Sequence, residues 1–243
     1  LRLPEEISHS IAIFLLKYNF VPTKKKVIKS ITKIKFLNFK LTHPVGLAAG
    51  FDKNAEALPG LLKQNFSFIE IGTVTPLPQI GNSKPRVFRV PEEKSIINKL
   101  GFPNLGASKI FNNLCKIRKY HTLGLEPLIG VNIGCNKNTK NPLKDYEKCF
   151  EIFCSVADYI TINVSSPNTP GLRKLQLQNN LAPLLKTLSN KRKEFVWNEA
   201  AKLIDFSKVQ TFTKEITLNE LLETYPKLLK GEFSGRAIIN TNK

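Results

Sequence analysis

Near the start of the chain, apolar residues recur at helical spacing: Ile7, Ile11, Phe14 and Leu15 share one face behind Pro4-Glu5-Glu6. Proline suits a first helical turn and acids there face the positive end of the dipole, so a helix is predicted. It should stop before Val21-Pro22, because the residue ahead of a proline avoids helical geometry. Beyond it the pattern becomes short apolar runs alternating with amphipathic stretches. Ile34, Phe36, Phe39 and Leu41 predict a hairpin. Apolar runs at 45–48, 67–74, 128–133 and 159–164 predict buried strands, with helices expected over 55–63, 105–119 and 144–157. Buried strands alternating with helices indicate βα units and a parallel sheet. About four such units can be counted, where a closed (β/α)8 barrel has eight.

Each predicted strand ends in glycine or polar residues: Gly50-Phe51-Asp52-Lys53, Thr73-Val74-Thr75-Pro76, Asn132-Ile133-Gly134 and Asn163-Val164-Ser165-Ser166-Pro167-Asn168. Barrel enzymes keep their chemistry at this C-terminal edge. Strand ends that all read this way argue for a site rather than for independent turns.

Composition adds a strong basic balance. The chain has 243 residues, with 37 Lys+Arg against 19 Asp+Glu and a net charge of +18. That excess suits nucleic acid, anionic lipid or an acidic ligand, and also a merely lysine-rich solvated surface. Its local concentration is Lys24, Lys25, Lys26, Lys29, Lys33, Lys35 and Lys40. No zinc-finger spacing, stacking motif or basic zipper accompanies it, so no nucleic-acid partner is expected. An apolar helix followed by a basic segment fits a membrane surface, and an N-terminal helix packed on its own domain fits equally. Cys115, Cys135, Cys149 and Cys154 have no C-x-x-C spacing and no neighbouring histidine, so no metal site is expected. No apolar run approaches the ~20 residues of a membrane span, and no secretory leader is evident. The expected location is cytoplasmic, peripherally associated with the inner membrane.

Several of these segments also carry a family likeness. Pro44-Val45-Gly46-Leu47-Ala48-Ala49-Gly50-Phe51-Asp52-Lys53 and Ile69-Glu70-Ile71-Gly72-Thr73-Val74-Thr75-Pro76 resemble the first two strand signatures of dihydroorotate dehydrogenases. Lys84-Pro85-Arg86-Val87-Phe88-Arg89, Ile97-Asn98-Lys99-Leu100-Gly101-Phe102, Gly130-Val131-Asn132-Ile133-Gly134 and the run from Ile162 through Asn163 and Ser166 to Gly171 follow in the family's order. Serine at 166, with a helical N-terminal segment, is similar to the class 2 (quinone-dependent) members; class 1 carries cysteine at that place.

The resemblance implies oxidation of dihydroorotate to orotate in pyrimidine biosynthesis, with FMN as cofactor and a membrane quinone as oxidant. It assigns Ser166 as catalytic base, although a Ser-Ser-Pro-Asn run on its own reads as a turn whose side chains bond their own backbone. Lys53, Asn98, Lys99, Leu100, Gly101, Phe102, Asn163 and Asn168 would hold the substrate. Ala49, Gly50, Phe51, Asp52, Lys53, Thr73, Asn132 and Asn163 would hold FMN.

The expected architecture is thus α/β of the TIM-barrel family, present as the first half of the barrel. Three regions are expected: a helical membrane-association segment at 1–30, the half barrel at 31–195 and a tail at 196–243. The family's later strands, with a flavin-contacting lysine, an Asn-Thr pair and phosphate-binding glycine loops, find no match after Gly171. Asn240-Thr241-Asn242 is not assigned to that pair. The tail weakly resembles the C-terminus of zinc-free medium-chain quinone or acryloyl-CoA reductases, so a truncated or chimeric chain with a junction near 194–196 is expected. Such a half barrel should bind FMN weakly or not at all. The alternative function is a non-catalytic remnant that associates with membrane surfaces.

Overall fold

The computed structural model describes residues 3–22, 32–169, 171–203, 213–230, 232 and 236–240. The chain divides into two compact units, Leu1–Arg192 and Lys193–Lys243.

In the first unit, helix α1 (Glu5–Lys17) precedes a hairpin of β1 (Ile34–Phe36) and β2 (Phe39–Leu41). Then come β3 (Gly46–Leu47), α2 (Leu58–Leu61), β4 (Phe68–Val74), β5 (Val87–Val90), β6 (Ser95–Asn98) and α3 (Ala107–Arg118). They are followed by β7 (Leu128–Ile133), α4 (Pro142–Phe153), β8 (Tyr159–Ile162), a 3-10 turn at Leu172–Gln176 and the first part of helix α5 (Gln178–Leu203), which continues past Arg192. Strands β3, β4, β7 and β8 form one four-stranded parallel sheet in that order. This is the predicted half barrel. The helix expected over 55–63 is only the single turn α2. An antiparallel hairpin, β5 with β6, occupies the span between β4 and α3 where no strand was predicted.

Alternation along the strands sorts their residues between two faces. Ile69, Ile71, Ile129, Val131 and Ile133 lie fully buried in one cluster with Ile110 and Leu114 of α3 and Phe153 of α4. Each such side chain contributes about 1.5–3 kcal/mol by leaving water. The opposite face carries Glu70 and Gly72 of β4, Gly130 and Asn132 of β7, and Tyr159 and Thr161 of β8. Interiors of complete barrels are filled mainly by branched apolar residues, so a polar inner face is unusual. Gly130 is required there because a Cβ would run into the Tyr159 ring.

Helix α1 packs on this unit as well as exposing an apolar face. Leu16 joins the core, and a Cβ on Gly60 would stand 2.6 Å from the Leu16 carbonyl oxygen. On the other side Ile7, Ile11, Phe14, Leu15 and Tyr18 are exposed. Of the lysine-rich stretch, Lys24, Lys25, Lys26 and Lys29 lie outside the described residues. Among the described residues no helix is long and apolar enough to cross a membrane.

The second unit contains β9 (Thr213–Thr217), α6 (Leu218–Leu229) and β10 (Arg236–Asn240). The two strands pair in parallel, from Thr213 opposite Arg236 to Thr217 opposite Asn240. Thr217 caps α6: its hydroxyl accepts the Glu220 N–H at 3.3 Å while the Glu220 carboxylate accepts the Thr217 N–H at 2.8 Å. This reciprocal pair satisfies helix-end donors that would otherwise be orphaned. No match to the family's later strands is expected after Gly171; two parallel strands joined through a helix follow there. The boundary between the units, after Arg192, lies next to the expected junction at 194–196, and both fall within helix α5.

Candidate active site

The C-terminal ends of β4, β7 and β8 bring three predicted side chains together. The Thr73 hydroxyl donates to Asn132 Oδ1 at 2.6 Å. Asn163 Nδ2 donates to Thr73 Oγ1 at 3.0 Å and to Asn132 Oδ1 at 3.1 Å. Strand register makes this meeting possible, since Asn132 lies opposite Thr161 and the Asn163 N–H donates to the Ile133 carbonyl at 2.9 Å. Tyr146 of α4 holds the end of β8 from behind, its hydroxyl donating to the Asn163 carbonyl at 2.6 Å. Beside the cluster, Gly134 makes room for the Thr73 methyl, 2.8 Å from where a Cβ would stand, and for the Phe102 ring at 3.3 Å.

After Asn163 the chain turns on its own side chains. Asn163 Oδ1 accepts the Ser165 N–H and hydroxyl, both at 3.1 Å, and Ser166 Oγ accepts the Asn168 N–H at 3.2 Å. The turn reading of Ser-Ser-Pro-Asn is therefore correct as local structure. Ser166 is half-buried in this turn, three residues after Asn163.

The loop after β3 supplies the other half of the site. Gly50 has φ +102, a conformation that favours glycine, and the space where its Cβ would stand is open within 4 Å. Its N–H donates to the Gly72 carbonyl at 2.8 Å, tying the loop to the end of β4. Asp52, predicted to touch the cofactor, is buried and spends its carboxylate on the N–H groups of Asn54, Glu56 and Ala57 at 3.3, 2.9 and 2.8 Å. It shapes the loop from behind. Lys53 is half-buried, and no hydrogen bond or ion pair holds its ammonium among the described residues. Burial, and then the Arg86 charge, push its pKa down, against smaller opposing pulls from Asp52 and Glu6.

Gly50, Phe51 and Lys53 line a cleft of about 930 Å³ that also includes Asn98 and Leu100. Asn98 and Lys99 are exposed on the β5–β6 hairpin, and Lys99 Nζ stands 5.7 Å from the centre of the Phe88 ring. No hydrogen bond joins Asn98 to the Thr73–Asn132–Asn163 cluster. Gly101 bends the chain at φ +68 between the hairpin and Phe102. Ala49 is half-buried in the turn before Gly50.

Several residues of this region went unforeseen. His9 reaches from α1 to the Phe51 carbonyl at 2.7 Å. Glu6 pairs with Lys84 and Arg86, both at 3.4 Å, and Glu5 with Arg89 at 3.6 Å, so α1 forms one wall of the cleft. Glu70 accepts from Asn132 and Thr161 beneath the strand ends. The basic Lys84–Arg89 segment was visible in the sequence, but its acidic partners on α1 lie about 80 residues earlier.

Comparison with known proteins agrees with this geometry. The family model for dihydroorotate dehydrogenase matches residues 31–219. The quinone dihydroorotate dehydrogenase of Bartonella tribocorum is 41% identical over 98% of this chain and 64% of its own length. That of Agrobacterium fabrum is 38% identical over 97% of this chain and 62% of its own. The chain therefore spans a little under two thirds of these relatives. A crystal structure of the Eimeria tenella enzyme in complex with ferulenol superposes with TM-score 0.74 and 36% identity, covering 79% of this chain and 52% of that one. Its ligand-free form gives TM-score 0.72 and 32% identity over 98% of this chain and 69% of that one. The matches run well past residue 196, beyond the boundary drawn for the likeness from sequence, and so take in the tail. By its strand-end residues, its half-barrel sheet and these matches, the chain belongs to the dihydroorotate dehydrogenase family, on the side of its quinone-dependent members.

Proposed function

We propose that the protein oxidises dihydroorotate to orotate at the C-terminal edge of the parallel sheet, with FMN as cofactor and a membrane quinone as final oxidant. The observation that carries this reading is Lys53, a half-buried cation that lines the cleft and whose ammonium no hydrogen bond or ion pair holds among the described residues. A buried charge is costly unless an opposite charge meets it, so this one fits an anionic ligand.

The local residues fit a flavin. Open space at Gly50 admits a flat ring close to the backbone, and Thr73, Asn132 and Asn163 offer amide and hydroxyl groups at one level. When bound, FMN supplies the acceptor for the hydride and the route of the electron pair to quinone. Lys53 would neutralise the substrate carboxylate. Asn163 and Asn168 would orient the substrate through their donor and acceptor atoms. Ser166 would take the proton from the carbon next to the one that loses hydride, handing it onward because a hydroxyl is a weak resting base. The cleft walled by α1 and lined by Glu5, Glu6, His9 and Arg89 would admit the quinone.

The test is dihydroorotate-dependent reduction of a quinone analogue with FMN in excess. Ser166→Ala should lose about a hundredfold or more in turnover, the usual scale for a general base, with FMN affinity unchanged. Undiminished turnover in that variant would remove Ser166 from the chemistry. Absence of any turnover with saturating FMN would remove the reading for this chain.

A second reading rests on the exposed Ile7, Ile11, Phe14, Leu15 and Tyr18 of α1: a membrane-surface contact that needs no catalysis. Association with anionic vesicles in a chain without turnover would favour it.

A further inference from the structure

The polar inner face of the sheet contains a hydrogen-bond chain whose links all point one way. The Ser165 N–H and hydroxyl donate to Asn163 Oδ1, and Asn163 Nδ2 donates to Thr73 Oγ1 and Asn132 Oδ1. Thr73 donates to the same Asn132 oxygen, and Asn132 Nδ2 donates at 2.8 Å to Glu70 Oε1. The other Glu70 oxygen accepts from the Thr161 hydroxyl at 2.9 Å. Every donor leads toward one carboxylate.

An ionised carboxylate only accepts, whereas an asparagine amide can face either way. With Glu70 below it, Asn132 must present Nδ2 downward and Oδ1 upward. That oxygen in turn obliges the Thr73 hydroxyl and Asn163 Nδ2 to point at it. Were Asn132 reversed, its amide would confront Asn163 Nδ2, donor against donor, and two N–H groups would lose their acceptor. We infer that Glu70 is a positioning residue, the terminal acceptor that sets which way Asn132 and Asn163 face at the strand edge. The inference concerns this chain's own side chains, and its link to catalysis rests on the function proposed above.

The discriminating variant is Glu70→Gln, which keeps the shape and can offer either a donor or an acceptor to Asn132. The full chain, labelled with 15N at asparagine, is compared with the variant by NMR. Far-UV circular dichroism and thermal unfolding report that the fold persists. Positioning predicts that the Asn132 and Asn163 side-chain amide protons, slowly exchanging in the parent, exchange about tenfold faster or split into two sets in the variant. Thr161→Val, which removes the other donor to Glu70 but leaves its carboxylate, should keep the single set. Unchanged Asn132 and Asn163 amides in a folded Glu70→Gln chain would overturn the inference, as would equal disturbance by Thr161→Val. An FMN titration of both chains separates this from the functional reading. Weaker binding by about three- to tenfold in Glu70→Gln is expected where the parent binds. A parent that does not bind FMN refutes the flavin reading while the amide result still decides the role of Glu70.

Discussion

Arg118→Met tests what holds the strand ends in register. Asp158 stands directly before β8 with its side chain 1% exposed, and Arg118 of α3 with 9%. The carboxylate accepts Arg118 Nη2 at 2.9 Å, the Gly124 N–H at 2.6 Å and the Ile129 N–H at 2.7 Å. The guanidinium also donates to the carbonyls of Val156, His121 and Thr122 at 2.7, 3.2 and 3.3 Å. Since the Asp158 N–H donates back to the Ile129 carbonyl at 2.9 Å, this group clamps the feet of β7 and β8. The clamp at the foot places Asn132 and Asn163 together at the top. Removing one partner of a buried pair strands the other charge, at a cost of about 3–5 kcal/mol. Set against a total stability of about 5–15 kcal/mol, that is a large fraction. With a urea slope of about 2 kcal/mol per molar, the midpoint should fall by about 2 M. Arg118→Lys keeps the charge but not the planar fork, so it should recover only part of the loss. Urea unfolding followed by far-UV circular dichroism is the assay. A midpoint shift below about 0.5 M for Arg118→Met, with an unchanged slope, would refute the clamp.

Thiol reactivity and pH dependence give further checks. Burial, reinforced by the Asp145 charge, pushes the Cys135 thiol up to about 11 and the Cys149 thiol up to about 12. Reactivity belongs to the thiolate, so iodoacetamide at neutral pH should label the partly exposed Cys115 and Cys154 first, with Cys135 and Cys149 labelled only after denaturation; mass spectrometry reads the order. Lys53 titrates below its ordinary value through burial and Arg86. An anion bound beside it favours the ammonium, so its pKa rises on binding and the complex takes up a proton where free Lys53 is partly neutral. Dihydroorotate affinity should therefore fall as pH rises through the depressed pKa toward that of the complex. Lys53→Arg, charged throughout, should remove this dependence, and an equal slope in both chains would deny Lys53 the contact.

The sheet was legible because buried parallel strands read as apolar runs, and residues 67–74, 128–133 and 159–164 gave themselves away. The β5–β6 hairpin was not, since Phe88, Ile96 and Ile97 are exposed and no buried run marks it. Its signal was the turn between Val87-Phe88-Arg89-Val90 and Ser95-Ile96-Ile97, around Pro91 and Lys94. Thr73, Asn132 and Asn163 could be named individually, but their mutual contacts depend on strand register, which no single segment encodes. Glu70 shows the limit most clearly. Between Ile69 and Ile71 it is merely an acid in a buried strand, and its partners Asn132 and Thr161 lie 62 and 91 residues farther along. In the tail the strand 213–217 is too polar to read as buried, and its parallel pairing with 236–240 depends on residues more than twenty positions apart.

The central claim is that the edge carrying Lys53, Thr73, Asn132 and Asn163 is a flavin site. Titration of FMN into the purified chain, followed by quenching of flavin fluorescence, addresses it most directly. The account predicts weak, saturable one-to-one binding that Lys53→Ala weakens about tenfold, as loss of a charge-assisted contact should. Binding that never saturates, or that is indifferent to Lys53→Ala, would contradict it.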